Sequence, residues 1–298
     1  MFTGFERATV ELNGISIHYR VSGGSDRSKP GLLLLHGHPQ THVIWHKIAE
    51  PLAERFTVVC AVLRGDGGKG KPEAQPGHGN YSKRTMAADM VSLMAHLGFE
   101  DFYLVGHDRG GRVAHRMAAD HPQRIRKLAV LDVAPTLAMY EQTTMAFAQA
   151  YYHWFFLIQP APYPETLIGA DPEFYLLKTI GGRSAGLAPF AAEALEEYKR
   201  CIKLPGTVRG ICEDYRAAAT IDLDHDRADI AAGKKLAMPL LALWGANGVV
   251  EKCFKPLDEW RKLATDVRGR ALPCGHYIPE EAPDLLLQEL TTFLKETT

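Results

Sequence analysis

Apolar positions along this chain follow two rhythms. Short, nearly continuous apolar runs at residues 31–35, 57–63, 102–105, 127–131 and 239–244 have the length of strands buried on both faces. A further strand is expected at 268–272. Between these runs the spacing becomes helical. Residues 82–97 place Met86, Met90, Leu93, Met94 and Leu97 on one face, and residues 281–295 do the same with Leu285, Leu286, Leu290, Phe293 and Leu294. A helix is also expected over 112–119. Near the start, residues 9–12 and 15–20 predict a hairpin across Asn13-Gly14, a two-residue turn signal. Strands alternating with helices predict an α/β fold, a mostly parallel sheet covered by helices. Functional residues should then lie at the carboxyl ends of the strands.

Residues 135–225 break the alternation. They are rich in aromatics and helix formers, among them Tyr140, Phe147, Tyr151, Tyr152, Trp154 and Phe155, with no strand pattern. The pattern predicts a helical cap at 135–225 inserted into a core made of 1–134 and 226–298.

Composition narrows the function. Of 298 residues, 34 are Lys or Arg and 35 are Asp or Glu, and no basic stripe suggests nucleic acid or an anionic membrane surface. The five cysteines are scattered, odd in number and free of any C-x-x-C pair. That usage fits reduced thiols and a cytoplasmic protein. Residues 1–20 lack the apolar core of a signal peptide, and no run reaches the ~20 apolar residues of a membrane span. A small molecule is the expected partner.

The hexapeptide Gly106-His107-Asp108-Arg109-Gly110-Gly111 lies between the predicted strand at 102–105 and the predicted helix at 112–119. A small-x-nucleophile-x-small pattern at a strand-to-helix turn is the nucleophile elbow of α/β-hydrolases. A turn Asp capping a helix would fit the hexapeptide in isolation, but not its strand-turn-helix setting. Here the nucleophile position holds a carboxylate. Carboxylate attack on a saturated carbon that bears a leaving group yields an alkyl ester of the enzyme.

Such an ester needs a base to activate water, and an acid to orient the base. His276, in Pro273-Cys274-Gly275-His276-Tyr277, follows the last predicted strand and is the expected base. Asp132, at the end of the strand over 127–131, is the expected acid. Asn247, at another place where hydrolases carry an acid, has no charge to offer. Nucleophile, acid, base is the chain order of this fold. His36-Gly37-His38-Pro39 should supply one backbone N–H of an oxyanion hole, and Arg109 the other. His36, His38, His42 and His46 lack H-E-x-x-H spacing, so no metal is expected. Gly65 to Lys71 imitates a phosphate loop, but Pro72 replaces the Mg²⁺-binding Ser/Thr. A Gly-rich surface loop is expected there, and no cofactor.

Six segments together resemble the fluoroacetate (haloacetate) dehalogenases of the α/β-hydrolase superfamily. They are Leu35-His-Gly-His-Pro-Gln40, Gly106-His-Asp-Arg-Gly-Gly-Arg-Val-Ala-His-Arg116, Tyr151-Tyr-His-Trp-Phe-Phe156, Cys212-Glu-Asp-Tyr-Arg-Ala-Ala218, Trp244-Gly-Ala-Asn-Gly-Val-Val-Glu251 and Gly275-His-Tyr-Ile-Pro-Glu280. The resemblance implies an α/β-hydrolase fold with a helical cap, and hydrolysis of short 2-haloacids. It implies Asp108 as nucleophile, His276 as base held by Asp132, and Arg109 and Arg112 as the clamp on the substrate carboxylate. It implies His153, Trp154 and Tyr215 as the halide pocket, no cofactor, and a homodimer. The chain departs from the family at His38, where Phe is frequent, and in the loop 64–71. An epoxide hydrolase is the alternative enzyme, although Arg109 stands where those enzymes have Trp. A ligand-binding relative without catalysis is the alternative from another class.

Overall fold

The computed structural model describes residues 1–24, 28–67, 70–183 and 185–295. Its strands are β1 (Phe5–Leu12), β2 (Ile15–Ser22), β3 (Gly31–Leu35), β4 (Thr57–Ala61), β5 (Phe102–His107), β6 (Ile125–Leu131), β7 (Leu240–Gly245) and β8 (Val267–Leu272). They form one sheet in the order β1-β2-β4-β3-β5-β6-β7-β8. β1 pairs with β2, and β2 with β4, in antiparallel fashion; the remaining pairings are parallel. The fold is α/β, as the pattern predicts. β3, β4 and β7 are buried along their whole length, which explains their unbroken apolar runs. β8 lies at the edge and alternates, with Arg268 and Arg270 turned to solvent.

Two apolar clusters cover the two faces of the sheet. One joins Met86, Met90, Val113 and Met117 of the helices Lys83–His96 and Arg109–Asp120 to Leu33, Leu35 and Leu104. The other runs from Leu32 and Leu34 through Leu290 and Phe293 of the last helix to Phe147, Tyr151 and Trp154. The latter three belong to the segment between β6 and β7. That segment is a series of helices from Thr136–Glu141 to Ile221–Ala231, and no strand occurs in it among the described residues. Its last helix runs beyond 225.

Three expectations need correction. The strand expected over 57–63 stops at Ala61. The closing helix is interrupted: a short turn at Ile278–Glu281 precedes the helix Pro283–Lys295, because Pro283 has no N–H to continue the first helix but suits the start of the second. The loop 64–71 is not a free surface loop. Arg64 is buried and grips Asp89 through Nε and Nη2 at 2.8 and 2.9 Å. Lys71 donates to Pro205 O and Thr207 Oγ1 beside the helix Thr207–Ala218. Residues 68 and 69 of this loop lie outside the described residues.

Parallel pairing sets up the site. His107 is in register with Leu131, so the residues that follow, Asp108 and Asp132, emerge side by side. Asp108 N–H donates to Leu131 O at 3.1 Å, and Asp132 N–H to Leu243 O at 2.7 Å.

Candidate active site

Asp108 sits in the turn between β5 and the helix Arg109–Asp120, with φ 49° and ψ −117°. Such backbone is strained for any residue with a Cβ and persists only where the surroundings over-determine it. Here they do. A Cβ on Gly110 would lie 2.3 Å from Leu35 O, so only glycine lets the helix start this close to β3. A Cβ on Gly37 would lie 2.4 Å from the Cβ of Asp108, so the loop after β3 also needs glycine to pass the carboxylate.

That loop aims a donor at Asp108. His38 N–H donates to Asp108 Oδ1 at 2.8 Å. The other oxygen, Oδ2, faces His276 Nε2 at 3.6 Å. His276 Nδ1 lies 2.5 Å from Asp132 Oδ2, and Gly245 N–H donates to Asp132 Oδ1 at 2.9 Å. Tyr151 Oη is 3.3 Å from the same Nδ1. His107, the last residue of β5, reaches His276 O through Nε2 at 2.8 Å. All of these side chains are buried. Burial works against the charge of Asp108, but the cationic groups around it, Arg183 and Arg112 among them, outweigh it and hold the carboxyl below its ordinary range. Burial, then the Arg183 charge, lowers His276 and favours its neutral form. Asn247 is exposed, with its N–H on Cys274 O.

The two arginines of the elbow helix point to the same place but are held differently. Arg109 grips Asp214 through Nε (2.5 Å, to Oδ2) and Nη2 (2.9 Å, to the main-chain O). Asp214 is also bonded by Lys83. Burial disfavours the Arg109 charge, but Asp214 overcomes this and raises its pKa. Arg112 has no acidic partner among the described residues. It bonds Ala134 O and Thr136 Oγ1 through Nη1, and Met139 Sδ through Nη2. Each arginine therefore keeps one unpaired nitrogen, Nη1 of Arg109 and Nε of Arg112, both buried. A bidentate fork from either one is not open in this arrangement; the pair offers one donor each.

His153 and Trp154 open the short helix His153–Phe156, and Tyr215 lies in the helix Thr207–Ala218. Their rings meet: His153 to Tyr215 at 5.8 Å and Trp154 to Tyr215 at 6.4 Å. The Arg109 guanidinium lies 4.0 Å over the Tyr215 ring, and that of Arg112 lies 4.5 Å over Trp154. His153 Nε2, Trp154 Nε1 and Tyr215 Oη are buried without a hydrogen-bond partner among the described residues. Burial, then the charge of Asp108, raises Tyr215 well above 10, so its hydroxyl keeps its proton. Buried donors left unpaired are costly, and a cluster of them marks a place built for something else.

The histidines of the 36–46 series are engaged individually. His36 Nε2 accepts from Leu63 N–H at 3.1 Å, His42 Nε2 accepts from Arg20 Nε at 3.2 Å, and His46 Nδ1 bonds Val43 O at 2.9 Å. His38 Nε2 is 3.0 Å from Tyr175 Oη. Sequence reasoning missed Asp214 and Arg183 as neighbours of the site. Asp214 stands beside Tyr215 within one of the resemblance segments, and its charge could have been matched with Arg109. Nothing around Arg183 distinguishes it in the sequence.

Residues 30–283 match the family described as alpha/beta hydrolase fold. The chain belongs to this family. A fluoroacetate dehalogenase of Burkholderia sp is 46% identical over 297 residues, covering 99% of this chain and 96% of that one. A soluble epoxide hydrolase of Corynebacterium sp. (strain C12) is 33% identical, covering 98% of both. The crystal structure of a putative alpha/beta hydrolase from Nostoc sp PCC 7120 superimposes with a TM-score of 0.96 at 52% identity, covering all of both chains.

Proposed function

We propose that this chain hydrolyses short 2-haloacids, fluoroacetate foremost, to the 2-hydroxyacid and halide through an aspartyl ester. The observation that carries this reading is the set of buried, unpaired donors around Asp108. Arg109 Nη1 and Arg112 Nε suit the two oxygens of a carboxylate. His153 Nε2, Trp154 Nε1 and Tyr215 O–H suit a small anion leaving from the next carbon. The similarity to a fluoroacetate dehalogenase supports the same assignment.

Asp108 Oδ2 attacks the α-carbon, the carbon–halogen bond breaks, and its electron pair leaves with the halide. Oδ1 becomes the carbonyl oxygen of the ester, already held by His38 N–H. His276, steadied by Asp132, takes a proton from water as that water attacks the Asp108 carbonyl carbon. The oxyanion forms on Oδ1 under the His38 donor. Collapse breaks the Asp108 Cγ–Oδ2 bond, His276 returns its proton to Oδ2, which leaves as the hydroxyl of the hydroxyacid, and the new Asp108 carboxyl ionises. In this reading the helices between β6 and β7 act as a cap over residues of a core formed by the rest of the chain. The free cysteines fit a cytoplasmic protein, and the resemblance implies a homodimer.

A second reading, epoxide hydrolysis, draws on the Corynebacterium relative and on the Tyr151 and Tyr215 hydroxyls, which could activate a ring oxygen. Two buried guanidiniums suit an anionic substrate better than a neutral epoxide. Incubation with fluoroacetate and with a simple epoxide separates the readings: free fluoride without diol supports the first, diol without fluoride the second, and neither product a non-catalytic relative.

A further inference from the structure

Arg183 enters the site from the end of the helix Pro172–Gly182. Its main-chain carbonyl accepts from His276 N–H at 3.0 Å, which ties it to the loop of the base. Its Nη2 donates to His38 O at 3.1 Å. Its guanidinium lies 5.7 Å from the Tyr151 ring centre and 5.4 Å from that of Tyr277. These contacts fix the group and leave Nη1, which is buried and has no hydrogen-bond partner among the described residues. The ring of His38, the residue to which Nη2 is anchored, stacks on His153 at 6.0 Å and meets Tyr215 edge-on at 5.5 Å. Arg183 is thus anchored to the residue whose ring meets two of the halide-side donors, and its Nη1 is left unpaired.

Charge counting points the same way. Arg109 is matched by Asp214. Arg112 and Arg183 have no acidic partner at ion-pair distance among the described residues. Besides Asp132, which clasps His276, turnover of a haloacetate keeps two negative charges in the site. One is the substrate carboxylate. The other begins on Asp108 and ends on the halide. Arg109 and Arg112 already offer the carboxylate two donors. His153 supplies no charge on the halide side, because burial and then Arg183 itself keep its ring neutral.

We propose that Arg183 is a further catalytic residue, donating from Nη1 to the departing halide and balancing the charge that moves there from Asp108. This rests on the dehalogenase reading. The electron pair of the carbon–halogen bond goes to the halide, and Arg183 stays protonated throughout.

The test compares the full-length parent with Arg183→Met and Arg183→Lys. One readout is kcat/KM for fluoro-, chloro- and bromoacetate. The other is quenching of Trp154 fluorescence by bromide without substrate, with Trp154→Phe identifying the signal. Loss of one charge-assisted donor should cost Arg183→Met at least about tenfold more on fluoroacetate than on bromoacetate. Bromide binding should weaken by about the same factor, and Arg183→Lys should recover part of both. Equal losses across the three halides, or bromide binding unchanged in Arg183→Met, overturns the assignment. If Arg183→Met does not fold, bromide affinity in Arg183→Lys equal to the parent's overturns it instead. A parent that releases no fluoride but binds bromide through Arg183 overturns the dehalogenase reading and leaves the halide contact standing. A parent that dehalogenates while bromide binding ignores Arg183 does the reverse.

Discussion

His276 Nε2 lies 3.6 Å from Asp108 Oδ2, beyond hydrogen-bond distance, while Nδ1 of the same ring is clasped by Asp132 at 2.5 Å. A serine nucleophile would need its base in contact. A carboxylate held ionised needs no deprotonation, and the gap accords with the proposed role of His276 toward water rather than toward Asp108.

The first prediction follows from that gap. His276→Asn should still be alkylated by fluoroacetate and then stall. Intact-mass measurement should find a stable adduct that peptide mapping places on Asp108. A folded variant that binds substrate and gains no mass would mean that His276 acts before the ester forms.

The pH profile is the second. Ester hydrolysis needs neutral His276, and burial with the Arg183 charge lowers its pKa from the ordinary value. A lowered pKa leaves the base competent at more acidic pH, so the acid limb of kcat should fall below about pH 6.5, the ordinary imidazole value. A limb at or above that value would show that His276 is not shifted downward during turnover.

Much of this site could be read before the structure. The elbow was legible because Gly106, Asp108 and Gly110 report a steric demand, the close approach of a helix start to β3. Asp132 was legible because it follows an apolar run with the length of a buried strand, and His276 because it sits in a Gly-containing loop after the last expected strand and before the closing helix. The Arg109–Asp214 grip and the Arg183 contacts were not. They join residues far apart in sequence through packing of helices against one another and against the loops after β3 and β8, and periodicity carries no register for such packing. The loop 64–71 was misread for the same reason. Its glycines suggest exposure, whereas Gly65 and Gly210 are glycines because two backbones meet there: a Cβ on Gly210 would lie 2.5 Å from Gly65 O.

Arg112 gives the third prediction. In the proposed reaction it contacts the substrate carboxylate, and it has no acidic partner among the described residues. Replacing it by Leu removes a charge-assisted hydrogen bond worth about 1.5–3 kcal/mol. The loss in kcat/KM for fluoroacetate should be at least about tenfold, at ~1.4 kcal/mol per decade. The parent should also prefer haloacetate to haloacetamide, and equal rates on the two would count against the clamp.

Tyr215 gives the fourth. Tyr215→Phe deletes an unpaired buried hydroxyl with little change in shape. Removing one preorganised donor costs ~2.7–4 kcal/mol in a well-measured oxyanion hole. Fluoride, the smallest halide and the poorest leaving group, should suffer most. Steady-state rates on fluoro- and bromoacetate should diverge in the variant, and parallel losses would make Tyr215 a packing residue.

Covalent catalysis by Asp108 is the central claim, and a single turnover in heavy-oxygen water tests it most directly. With enzyme in excess over fluoroacetate, water attacks the carbonyl carbon of the ester. One heavy oxygen should therefore appear in the carboxyl group of Asp108, and the first glycolate released should carry none. Label in the glycolate hydroxyl with none in Asp108 would contradict the account and place water directly on the substrate carbon.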